Sequence, residues 1–144
     1  MDFVIKGFLT GLTPSEKWFL LTHTHLVGTI RDDANKALAE AQRRFAGARL
    51  QNGTGDAFRH CYWSALLGRD IGKDNATEFT TAHESWSGNP PRERAMDLHN
   101  NAIGVDISAS NPKAKDAQLI AICQAEIKSG RLQTTLAASK PYQY

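Results

Sequence analysis

From Thr13 to Gly130 the apolar residues recur at intervals of three and four, and almost nowhere at the interval of two that a strand requires. This pattern confines the chain to an all-α fold. The stripe formed by Val27, Ile30, Ala34, Ala37, Leu38, Ala41 and Phe45 has Arg31, Asp32, Lys36, Glu40 and Arg43 on its other face, the signature of an amphipathic helix over 27–45. Before it, Thr13-Pro14-Ser15-Glu16 opens a helix: Thr13 caps, Pro14 suits the first turn and Glu16 completes a capping box. That helix carries Trp18, Phe19, Leu20 and Leu21, and Trp18 is expected to be a core or site-lining aromatic together with Trp63 and Trp86.

The punctuation divides the rest. The loop Gln51-Asn52-Gly53-Thr54-Gly55 precedes a helix expected from about Asp56 to Ile71, with Gly72 as its left-handed stop. Asp74 or Asn75 caps a further helix ending near Glu84. Ser85–Pro91 forms a loop in which Trp86 is placed to act as part of a lid, followed by a helix through Ile103 that Gly104 should end. Ser110 or Asn111 with Pro112 starts the last helix, and Gly130 stops it. Only Phe3–Ile5 and Val105–Ser108 leave room for a short strand. The expected architecture is a compact single domain of about six helices over residues 1–144, with its motif core at 52–104 and a polar site between three central helices.

Composition narrows the class of function. At 41% hydrophobic and 22% charged residues the chain is too apolar for disorder. A net charge of +2, with no basic cluster larger than Arg43-Arg44, argues against a nucleic-acid partner. No segment reaches the roughly 20 apolar residues of a transmembrane helix. The first residues lack the basic leader and cleavage site of a signal peptide, so export is expected to proceed without a conventional leader. Cys61 and Cys123 fall within apolar helical patterns and read as buried free thiols.

Three segments carry an unusual density of titratable and amide side chains: Asp56-Ala57-Phe58-Arg59-His60, Ala82-His83-Glu84, and Met96-Asp97-Leu98-His99-Asn100-Asn101. Asp56 and His60 are four apart, on one side of a helix, as are Asp97 and Asn101. Asp56 also suits a plain capping role in the first helical turn. His83 shares a stripe with Ala76, Phe79 and Thr80 and should point inward at the end of its helix. Adjacent amides at Asn100 and Asn101 are poor helix formers and need partners, either buried backbone or a ligand. A polar network that only fixes three helices in register would bury many charges at a desolvation cost. Convergence on a cleft accounts better for Asp56, Arg59, His60, His83, Glu84, Asp97 and Asn101.

These segments, NGTGDAFRHCYWSALLGRDIG, FTTAHE and NPPRERAMDLHNNAIG, resemble an uncharacterised bacterial family with the ordered motifs Asp-x-Phe-Arg-His, Ala-His-Glu and Met-Asp-Leu-x-Asn-Asn. The resemblance covers residues 52–104, and Pro14–Trp18 more loosely. It implies proteins found alone or at the toxin-like C-terminal ends of secreted bacterial proteins, and hence an effector made in the cytoplasm and acting in the envelope of a target cell. The partners so implied are a cognate immunity protein and a secretion-apparatus carrier.

The chemistry expected is that of a hydrolase on a cell-envelope substrate, a phospholipid or peptidoglycan or its lipid-linked precursor. His60, Glu84, Asp97 and His83 are the catalytic candidates, and Arg59, Asn100, Asn101 and Asp56 the substrate-binding ones. The Arg-His pair beside an Asn-Gly loop is similar to small helical phospholipases, but there the catalytic His precedes a calcium-binding Asp, whereas Cys61 follows here. The identity of any cofactor is left open; a divalent metal would draw on His60, His83, Glu84 and Asp97, although no compact metal-binding spacing is present. The alternatives are a pore-forming or otherwise membrane-active helical toxin, and a purely structural polar cluster.

Overall fold

The computed structural model describes residues 11–46 and 51–136. It contains six α-helices and no strand among those residues: α1 (Pro14–Thr22), α2 (Val27–Arg44), α3 (Thr54–Ile71), α4 (Lys73–His83), α5 (Pro91–Ser110) and α6 (Asp116–Lys128), with a 3-10 turn at Thr24–Leu26. The expected strand at Phe3–Ile5 and the tail beyond Leu136 lie outside the described residues.

α3 is the hub, with α2, α4, α5 and α6 packed around it. Its residues from Gly55 to Leu67 are almost all buried, among them Phe58, Tyr62, Leu66 and Leu67. A helix surrounded on every side cannot carry a solvent-facing polar stripe. Asp56, His60 and Ser64 are therefore buried polar groups that need partners inside the protein. One apolar cluster links all six helices through Phe19, Ile30, Phe58, Phe79, Met96 and Leu119.

The capping box of α1 forms as expected: Thr13 Oγ1 accepts from Glu16 N–H at 3.1 Å, and Glu16 Oε1 accepts from Thr13 N–H at 2.9 Å. Thr13 Oγ1 also donates to Ala82 O at 2.8 Å, which fixes the start of α1 against the end of α4. Trp18 is a correction. It is 68% exposed, because Phe19 and Leu20 fill the inward positions of so short a helix.

Helix boundaries depart from expectation in four places. α3 starts at Thr54 behind Gly53, which puts Asp56 in the third helical position. Gly72 does take a positive φ of 87°, but it is a one-residue joint: α4 begins at Lys73, and Asn75 turns back to donate to Ile71 O. The last helix begins at Asp116, where Gln118 Oε1 caps Lys115 N–H, and not at Pro112.

Gly104 does not end α5, which continues to Ser110 and makes Val105–Ser108 helical. Gly104 faces α3 so closely that a Cβ there would collide with the Cys61 carbonyl oxygen and stand 2.8 Å from Ser64 Cβ. The missing side chain lets the two helices approach, and that approach brings Asn101 within reach of His60.

Candidate functional site

The site begins at the turn that leads into α3. Asn52 occupies the left-handed region (φ 55°), which asparagine tolerates better than other non-glycine residues. From there its N–H donates to Asp56 Oδ2 at 3.0 Å, and its side chain donates to Glu93 Oε1 at 2.8 Å across to α5. Asp56 thus ties down the residue ahead of the helix with one oxygen. Its other oxygen, Oδ1, accepts from Arg59 Nη2 at 2.7 Å and lies 3.4 Å from His60 Nε2.

His60 is the centre of the arrangement, only 5% exposed. Its Nδ1 lies 3.0 Å from Asn101 Oδ1. The Asn101 amide is oriented by two more contacts: Oδ1 accepts from Ser64 Oγ at 3.2 Å, and Nδ2 donates to Glu84 Oε1 at 3.3 Å. An amide so held presents an acceptor to the ring, so His60 Nδ1 carries a proton and donates it. Nε2 then faces two carboxylate oxygens, Asp56 Oδ1 at 3.4 Å and Asp97 Oδ1 at 3.3 Å. Asp97 Oδ1 is buried and has no hydrogen-bond partner among the described residues.

The electrostatics follow from this crowding. Burial opposes ionisation of Asp56, but the hydrogen bond and charge of His60, with Arg59, overcome it and hold the carboxyl well below its usual range. Burial works against a charged His60 as well, yet the hydrogen bond to Asp56 and the charge of Asp97 raise its pKa overall. Asp97 is pushed up to about 7, by burial first and then by the charges of Glu84 and Asp56, against the pull of His60.

His83 lies apart from this cluster. It is half-buried, its Nδ1 is 3.0 Å from Oε2 of the buried Glu16, and its ring meets Trp63 edge-on at 5.1 Å between centroids. Glu16 resembles Asp56 in being a third-position carboxylate that bonds a backbone N–H ahead of its helix with one oxygen and faces a histidine with the other.

Among the described residues, the atoms that come close enough to share a cation belong to Asp56, His60 and Asp97. Two members of the expected metal set of His60, His83, Glu84 and Asp97 lie outside this group. His83 is engaged by Glu16. Glu84 approaches the opposite ring nitrogen, with Oε1 3.7 Å from His60 Nδ1, and accepts from Asn101. The Asn100 amide is occupied by Gln133, accepting from the backbone N–H and donating to the carbonyl, both at 2.9 Å. It clasps the segment after α6 and does not face the cluster. His99 is exposed on the same side, with Nε2 2.8 Å from Arg131 O.

A cleft of about 340 Å³ opens onto Asp56, Arg59, His60, Glu84 and Asp97, with His83 and Trp86 also in its wall. The loop bearing Trp86 is braced by Asn89, whose side chain donates to Glu84 O at 2.9 Å. Sequence reasoning missed Glu16, Asn52 and Ser64 as parts of this region. The capping box marks Glu16 only as a cap, and nothing in the pattern reveals its second oxygen.

The sequence model of a family described as a domain of unknown function (DUF6973) matches residues 17–131, a span that contains every residue of the His60 cluster. No solved structure matches the chain.

Proposed function

We propose that this chain, which belongs to the DUF6973 family, is a hydrolase of a cell-envelope substrate whose reacting centre is built on His60, Asp56 and Asp97. The observation that carries the reading is the pinned ring of His60. With Nδ1 donating to Asn101, Nε2 would turn a lone pair toward two carboxylate oxygens unless a positive species lay between them. A proton or a divalent cation meets that need.

The separations of 3.3 and 3.4 Å are open enough to admit the cation. Two ligands each about 2.1 Å from a tetrahedral ion such as zinc stand roughly 3.4 Å apart. A cation held there would supply Lewis acidity and a water of lowered pKa. The chain's own groups complete the site. Arg59 fixes the Asp56 carboxylate, Asn101 and Glu84 hold the His60 ring, and His83, oriented by Glu16, lines the cleft as the proton-transfer group. The cleft carries Asp56, Glu84, Glu93 and Asp97, and a divalent ion would make it fit for an anionic phosphate or a developing oxyanion.

The bacterial effector setting, with an immunity partner and a secretion carrier, rests on the family resemblance. The test is growth of a Gram-negative host expressing the chain in the cytoplasm or with an added periplasmic leader, each beside His60→Ala. Toxicity confined to the periplasmic wild type, with altered lipid or peptidoglycan composition, is the expected result. A pore former would instead keep its toxicity in a folded His60→Ala variant, and harmlessness of every folded form would leave a structural polar network.

A further inference from the structure

The polar cleft shares part of its wall with a second cavity of about 290 Å³. That cavity is chiefly apolar, lined by Leu12, Ile30, Ala34, Ala37, Trp63 and Phe79, with the Glu16 carboxylate also in its wall. Arg59, His60 and His83 line both. The groups placed to do chemistry therefore stand where a hydrocarbon environment gives way to a charged one. A purely polar substrate, such as a glycan strand or a peptide stem, makes no use of the apolar chamber. An amphiphile uses both sides at once, with a headgroup in the cleft and a chain in the chamber.

We propose that the apolar cavity seats the acyl chain of a phospholipid and that the bond cleaved is the carboxylic ester. This rests on the hydrolase reading above and names its substrate. The volume corresponds to roughly ten water-sized groups at about 30 Å³ each, a useful length of chain. The ester carbonyl is the first polar group after the hydrocarbon, so a chain inserted into the cavity puts that carbonyl at the junction by His60 and His83. Water adds to the carbonyl carbon, the bond from that carbon to the glycerol oxygen breaks, and the glycerol oxygen leaves with a proton. The products are a fatty acid and a lysophospholipid, and no oxidant or reductant is needed. Arg59 Nε and Trp63 Nε1 are buried donors without acceptors among the described residues, and both belong to side chains at this junction.

Two measurements on the full chain test the idea separately from the hydrolase reading. The first is laurate binding by calorimetry to the wild type and Ala34→Leu, with thermal melts to verify folding. Ala34 is half-buried in the cavity wall, and leucine there should lower laurate affinity about tenfold. The second is fatty-acid release from phosphatidylethanolamine–phosphatidylglycerol vesicles with added zinc, expected for the wild type and lost in His60→Ala. Laurate binding insensitive to Ala34→Leu, or absent, overturns the acyl seat even if lipids are cleaved. Cleavage of a lipid-linked precursor or of peptidoglycan in place of the ester overturns the substrate assignment while the hydrolase stands. Laurate binding without any hydrolysis would instead count against the hydrolase reading, and with it the proposed ester cleavage.

Discussion

His60 Nδ1 lies 3.0 Å from Asn101 Oδ1, and this contact between α3 and α5 decides which ring nitrogen meets Asp56 and Asp97. Asn101→Ala should leave the ring free to choose its tautomer. Zinc affinity measured by calorimetry is expected to fall about 10–100-fold, as for other supports behind a metal-bound histidine. Unchanged affinity in a folded variant would show that Asn101 does not orient a ligand.

Glu16 offers a sharper separation of structure from chemistry. Glu16→Gln keeps an oxygen for the Thr13 cap, so stability should change by no more than about 1 kcal/mol. The group facing His83 then loses its charge, and kcat on the hydrolysed lipid should drop about 100-fold with KM nearly constant. A rise in KM at constant kcat would assign Glu16 to binding instead.

Stability should depend on pH through a place remote from the site. Asp33 is buried, its pKa is pushed up to about 8 by burial and by Asp70, and Lys36 and Arg69 only partly offset this. Tyr62 and Asp116 belong to the same neighbourhood. Because the unfolded carboxyl titrates near 4, the native state holds an extra proton between about pH 4 and 8, and stability falls as pH rises through that window. Asp33→Asn should flatten the dependence and exceed the wild type by about 1 kcal/mol or more at pH 8.5 in urea melts. Parallel pH curves for the two proteins would contradict the assignment.

Gly104→Ala tests the close approach of α3 and α5. The added methyl meets the Cys61 backbone, which cannot yield as a flexible side chain could, so a loss of about 1–3 kcal/mol is expected. A neutral result in chemical denaturation would mean that the helices can separate freely.

Cys61 and Cys123 are fully buried, with Sγ atoms 2.8 Å apart, and the hydrogen bond between them together with burial raises the Cys61 pKa. Neither thiol should react with a bulky disulfide reagent in the native protein, and both should react on denaturation. Rapid native labelling would place them elsewhere.

The sequence by itself determined the helices and most of the residues of the cluster. Local physics suffices there. A capping box forms within four residues at Thr13–Glu16, an apolar stripe repeats along 27–45, and Asp56 and His60 share a face because they are four apart. It misjudged Gly104 as a stop, since a glycine needed for helix contact looks the same in one dimension as a glycine needed for a turn. It grouped Asn100 with Asn101, whereas the tertiary structure sends one to Gln133 and the other to His60, because adjacent helical side chains diverge by about 100°. It ranked His83 with His60, and only packing shows that Glu16, 67 residues earlier, holds one while Asn101, 41 residues later, holds the other. Which oxygen of a carboxylate caps a helix and which faces a histidine depends on how α1, α3, α4 and α5 meet. Those contacts are set by long-range packing that no local sequence period encodes.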